Sequence, residues 1–168
     1  MSRPSRRLFL TASLAAAASL SVGVPAARAD MSKKVIAAFK GKILVTQGPL
    51  EQSGDDKSTI AAFKKAAMTT IKGEQNGNDV QEWEFNYTAF LTKPGATSLK
   101  LEFYNEAGQY VADQTLTDVD PKMTVLQGDI SINEDDGLAK GKKYTIKLAG
   151  DVKGKEVIFA SVPGVMMN

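Results

Sequence analysis

Cysteine and histidine are absent from all 168 residues, and the four arginines, Arg3, Arg6, Arg7 and Arg28, fall within the first 28. Without cysteine there is no disulfide framework and no thiolate nucleophile. Without histidine the usual base of serine and cysteine triads is missing, as are imidazole-built zinc, copper and haem sites. The lack of arginine beyond Arg28 leaves no guanidinium clamp for an oxyanion or a transferring phosphoryl group. No glycine-rich phosphate loop is present, because Gly137 to Gly141 lacks the preceding strand, the spacing and the Lys-Ser/Thr ending. The formal charge of +2 is owed to the arginines; past Arg28 there are 17 Lys against 19 Asp plus Glu, a balance of −2. A near-neutral body without arginine is a poor source of phosphate contacts, so nucleic acid is not an expected partner. Carboxylate mechanisms remain open in principle, but no catalytic residue and no cofactor ligand stands out, and the chain is expected not to be an enzyme.

What is present begins with a tripartite N-terminus. Arg3, Arg6 and Arg7 precede a weakly apolar run from Leu8 to Val24, and Ala27-Arg28-Ala29 supplies small residues before Asp30. That order predicts a cleaved export signal over residues 1–29. The run falls short of the ~20 residues needed to span a bilayer and is interrupted by Ser, Gly and Pro, so no membrane span is expected after cleavage. No cysteine follows it to carry a lipid. The segment Ser5-Arg6-Arg7-Leu8-Phe9-Leu10-Thr11 resembles the twin-arginine translocation signal, with Arg6, Arg7, Phe9 and Leu10 in place and Thr11 where the pattern has Lys. The resemblance implies export, in a bacterium, to the periplasm or beyond.

After a lead over residues 30–40, read as an extra strand or a flexible segment, the pattern from residue 41 is mostly of period two. Ile43 and Val45 mark a short strand that Gly48-Pro49 ends. Ile60, Phe63 and Ala67 recur at spacings of three and four after an Asp or Ser cap, which predicts one short helix near residues 57–66. A strand is expected from Met68, and the Gln75-Asn76-Gly77-Asn78 turn leads into the clearest strand, Val80 to Leu91. There Trp83, Phe85, Tyr87, Ala89 and Leu91 alternate with Glu82, Glu84, Asn86 and Thr88. Further strands are read at Leu99–Tyr104, Gln109–Leu116, Met123–Ile132, Lys142–Leu148 and Lys155–Val162. Regular spacing with turns between predicts a single β-sandwich domain over residues 41–168.

The run Leu138-Ala139-Lys140-Gly141-Lys142-Lys143-Tyr144-Thr145-Ile146-Lys147-Leu148 resembles the penultimate-strand signature of immunoglobulin-like and fibronectin type III-like domains. The resemblance implies a mostly β fold: an immunoglobulin-like antiparallel β-sandwich of about seven to nine strands. It also implies that Gly141 permits a tight turn, that Leu138 is structural, and that Tyr144 turns inward with its hydroxyl on the preceding loop, as a tyrosine corner. That superfamily hosts many roles, so the likeness bears on fold and not on activity.

Three surface features invite a functional reading. Glu134, Asp135 and Asp136 share one loop before Gly137 and carry oxygens suited to Ca²⁺, but lack the spacing of a dedicated calcium loop and read as turn formers; no metal site is expected. Trp83 heads an aromatic row that a sugar could stack on, yet its polar neighbours place it in the core. Tyr104 and Tyr110 flank the Asn105–Gly108 turn and are the better interaction surface, tyrosine being enriched where proteins recognise one another. Lys57, Lys64, Lys65 and Lys72 would share a basic flank if the helix ran on to Lys72, a face able to meet anionic headgroups or simply a solvated one. The expectation is an exported, non-catalytic module that binds a protein partner in the cell envelope. The alternatives are a glycan- or Ca²⁺-binding module and an accessory subunit of an exported redox enzyme.

Overall fold

The computed structural model describes residues 31–95, 98–117 and 119–168. The leader read over residues 1–29 and the cleavage position before Asp30 lie outside them. In chain order the elements are α1 (Lys33–Phe39), β1 (Ile43–Thr46), α2 (Asp56–Ala66), β2 (Thr70–Ile71), β3 (Glu74–Gln75) and β4 (Gln81–Phe90). Then follow β5 (Leu99–Asn105), β6 (Tyr110–Leu116), β7 (Val125–Asn133), a 3₁₀ turn (Glu134–Asp136), β8 (Lys142–Val152) and β9 (Lys155–Met167).

The alternating segment around Trp83 becomes the hub of the first sheet. β1 and β3 lie antiparallel to one edge of β4, and β7 pairs antiparallel with the other from Glu82↔Asn133 to Phe90↔Val125. The second sheet runs β2-β9-β8-β5-β6. It is mixed, because β2 is parallel to β9 while the remaining pairs are antiparallel. Inward residues of both sheets meet in one core, with Trp83, Phe85 and Tyr87 of β4 clustered with Leu101 and Phe103 of β5, Ile146 and Leu148 of β8, and Phe159 of β9. Each such side chain taken from water contributes about 1.5–3 kcal/mol, which is how the domain stands without disulfides.

The lead over residues 30–40 contains a helix. Ser32 caps α1, its Oγ accepting from the Val35 N–H at 3.2 Å, and Val35 and Phe39 then fall on one buried face at a spacing of four. A period-two reading misses so short a helix. α1 and α2 pack over part of the first sheet's outer face, where Phe39, Phe63 and Phe90 form a ring cluster with Leu44 and Val125. Residues 31–40 are therefore packed against the rest of the domain, with Met31, Val35 and Phe39 buried in this second cluster. Under the helices Gln127 donates through Nε2 to Thr88 Oγ1 at 3.0 Å and to the Leu50 carbonyl at 3.3 Å.

The strand expected from Met68 is divided between the sheets: β2 joins β9 and β3 joins β4, with the crossing at Lys72 and Gly73. A Cβ on Gly73 would lie 2.6 Å from Trp83 Nε1 and 2.4 Å from Gln81 Nε2, so only glycine fits there. Those two nitrogens are buried and have no hydrogen-bond partner among the described residues. The Asn76 turn is held by Asn76 Oδ1, which accepts from Asn78 and Val80 N–H, and the left-handed residue is Asp79 (φ 60°). β9 runs past its expected end at Val162. Pro163 and Gly164 fall where the β8–β9 register shifts, between Ile146↔Val162 and Tyr144↔Val165, so the proline costs the ladder no donor.

Candidate functional site

The outer face of the second sheet carries the densest arrangement of polar and aromatic side chains. Alternation along β5 turns Leu99, Leu101 and Phe103 inward and sends Lys100, Glu102 and Tyr104 out. Register then sets their neighbours: Glu102 stands between Asp113 of β6 and Lys147 of β8, and Tyr104 between Tyr110 and Thr145. The bulge between Phe103 and Tyr104 puts Tyr110 opposite Tyr104.

These neighbours interlock. Tyr104 donates its hydroxyl to Glu102 Oε2 at 2.8 Å, and the Lys147 ammonium sits 3.7 Å from the centre of the Tyr104 ring. Tyr104 and Tyr110 meet edge to face, centroids 6.0 Å apart and planes at 81°. Tyr110 donates to Asp113, whose other oxygen receives Lys100 Nζ at 2.8 Å. The hydrogen bond to Glu102 and then burial push the Tyr104 phenol up to about 12. Lys100 first and Tyr110 second hold the Asp113 carboxyl below its ordinary value, and Asp113 in return raises both partners. Tyr110 remains 53% exposed and Ile158 46%, the two large hydrophobic residues left in solvent among the described residues. At the Lys100 end of this face, beside the β8–β9 hairpin, lies a depression of about 450 Å³ lined by Lys100, Glu102, Ala149, Gly150, Asp151 and Glu156.

The residues singled out from sequence separate cleanly. Tyr104 and Tyr110 are brought together on this face. Trp83 is fully buried between the sheets, with no platform left for a sugar. Tyr144 is buried at the start of β8, its hydroxyl accepting the Ala139 N–H at 2.8 Å, while Leu138 is buried and Gly141 takes φ 76° beside it. Glu134, Asp135 and Asp136 form the 3₁₀ turn, where Asn133 Oδ1 accepts from the Asp135 and Asp136 N–H groups and Asp136 Oδ2 accepts from the Asn133 N–H. Asp136 thus serves the turn's own backbone, and among the described residues no three carboxylates converge on one point. Lys72 lies beyond α2, which ends at Ala66, so it does not extend that helix's lysine flank. Lys100, Glu102, Asp113 and Lys147 were not singled out from sequence, since their partnership depends on strand register; the alternation of Lys100, Glu102 and Tyr104 was the available signal.

No helix among the described residues is long and apolar enough to cross a membrane. No family model, no characterised protein and no solved structure matches the chain.

Proposed function

We propose that the chain is an exported, non-catalytic module of immunoglobulin-like topology that binds a protein partner in the cell envelope through the outer face of its second sheet. The observation that carries the binding face is the ordered network of Tyr104, Tyr110, Lys147, Glu102, Asp113 and Lys100. Side chains already held by neighbours lose little freedom on docking, and a centre of exposed tyrosine beside paired charges has the make-up of a protein-recognition patch. Supporting the topology, β1-β4-β7 in one sheet and β9-β8-β5-β6 in the other follow the A-B-E and G-F-C-C′ order of that superfamily. The Tyr144 bond to Ala139 has the form of its tyrosine corner.

The test is site-specific photocrosslinking in the native cell. A photoreactive residue at Tyr110 should give one stoichiometric adduct, absent when the same residue sits at Glu134 and weakened at least tenfold by Lys147→Ala. Adducts of equal yield at both positions would remove this face from the reading.

A further inference from the structure

The helical layer on the opposite side of the molecule has a charge pattern that packing does not require. Residues 31–72 hold eight lysines and three acids, whereas residues 73–168 hold nine lysines and fifteen acids, so side-chain charge is segregated into +5 and −6. All eight lysines are exposed, and none forms a salt bridge among the described residues. On α2, Lys57, Ala61, Lys64 and Lys65 follow one another at i, i+4, i+7 and i+8, a single exposed stripe away from buried Thr59 and Phe63. On α1, Lys33, Lys34, Ala37 and Ala38 are all exposed while Val35 and Phe39 point into the body.

The helix macrodipole accounts for part of this and contradicts the rest. Lys64 and Lys65 close the last turn of α2, where positive charge is favourable. Lys33 and Lys34 open α1, whose first turn has no acid, and there the N-terminal dipole disfavours cations. Two acids of α2's start offset part of this: Asp55, whose pKa Lys34 helps to lower, and Asp56, bonded to the α1 cap Ser32. The two helices also run side by side in one direction, since Ser32 at the start of α1 bonds Asp56 at the start of α2 and Phe39 at its end meets Phe63. Both helices thus turn exposed lysines and alanines outward, with Asp55 and Asp56 at their shared N-terminal end, and the layer as a whole keeps its positive excess.

We propose that this helical layer docks on an anionic phospholipid surface. Charge complementarity selects the occupant. Lysine is a compact point charge suited to a diffuse negative plane, whereas recognition of single phosphates or bases calls for arginine forks or stacking aromatics, and this surface has neither. Small alanines let a flat surface approach. Glu74, Glu82, Glu84 and Asp129 occupy the part of the first sheet's outer face that the helices leave uncovered. A helix is about 10–12 Å across, more than a Debye length of about 8 Å at physiological salt, so a surface resting on the helices is largely screened from acids at the level of the sheet. The field thus orients the molecule helices down, and the tyrosine face of the second sheet points away from the lipid. This inference stands apart from the partner-binding reading, which it neither needs nor proves.

The experiment uses the full chain, with the leader identical in every variant, and vesicles of phosphatidylcholine with or without phosphatidylglycerol. Lys33, Lys34, Lys57, Lys64 and Lys65 are replaced by Gln; a control replaces Lys140, Lys142, Lys143, Lys153 and Lys155, giving the same change in net charge. Binding should require phosphatidylglycerol, weaken with salt, and fall about fivefold for each helical lysine that reaches the surface, while the control binds as the parent does. An Ala37→Glu, Ala38→Glu variant keeps every lysine and should also weaken binding, which guards against a folding defect in the fivefold variant. Equal losses in both sets, undiminished binding without the helical lysines, or displacement by an oligonucleotide acting through the same lysines would each overturn the proposal.

Discussion

Tyr144 and Tyr104 are both hydrogen-bonded tyrosines, and their surroundings give them different work. Tyr144 is buried, and its hydroxyl is the acceptor that satisfies the Ala139 N–H at the bend into β8. Tyr144→Phe keeps the ring and leaves that donor unmatched, so unfolding free energy should fall by about 1–3 kcal/mol in urea denaturation. A change within error would mean that the bond contributes nothing to stability. Tyr104 instead donates to Glu102 on the outer face, and its pKa of about 12 lies above the ordinary 10. A phenol raised in the folded state stabilises it fully below pH ~10, and that contribution is lost as pH rises toward 12. Phenolate absorbance should therefore show a transition near 12 that Tyr104→Phe removes and Glu102→Gln moves back toward 10. A midpoint untouched by Glu102→Gln would show that the carboxylate is not the cause.

At the scale of elements, the crossing between β2 and β3 is the most tightly specified join in the fold. Gly73 donates its N–H to the Asn168 carbonyl at 2.7 Å on one side and lies against the Trp83 indole on the other. Gly73→Ala inserts a methyl where Trp83 has no room to move, and such overpacking costs about 1–3 kcal/mol. Thermal melts should show the loss, and Trp83 fluorescence should shift because the indole is displaced. An unchanged melting temperature and spectrum would mean that the crossing relaxes freely. Strand β9 makes the complementary point. Its proline and glycine read as a stop, yet a bulge opposite Thr145 absorbs both and pairing resumes as far as Met167. Turn-forming residues mark a stop only when no neighbouring strand supplies pairing beyond them.

For the whole molecule, the proposed recognition face and the lysine-rich helical layer lie on opposite sides. The second sheet turns Tyr104 and Tyr110 outward, the first is partly covered by a lysine-rich helical layer, and the larger of the two hydrophobic clusters among the described residues lies between the sheets. The proposed export of such a molecule is tested at its leader. Arg6→Lys with Arg7→Lys should retain the precursor in the cytoplasm of the native cell, and the mature protein of the parent should begin at Asp30 by mass. Normal export of the double variant would leave a general secretory signal in place of the twin-arginine one.

The alternation of Trp83, Phe85 and Tyr87 with Glu82, Glu84 and Asn86 was enough to define β4, because a period of two admits one way of burying those rings. The i, i+3 spacing of Ile60 and Phe63 behind an acidic cap defined α2 for the same reason. For Tyr144 it was the resemblance to an immunoglobulin-like penultimate strand that implied its burial and its bond to the preceding loop. The first two are local facts, fixed by which side of a short element is apolar. Only tertiary structure could make α1 a helix, since seven residues are too few to stand without Phe63 and Phe90 to pack on. Only register could set Lys147 over Tyr104 or Asp113 beside Lys100. Strand pairing joins residues dozens of positions apart, and no local periodicity encodes which strand lies next to which.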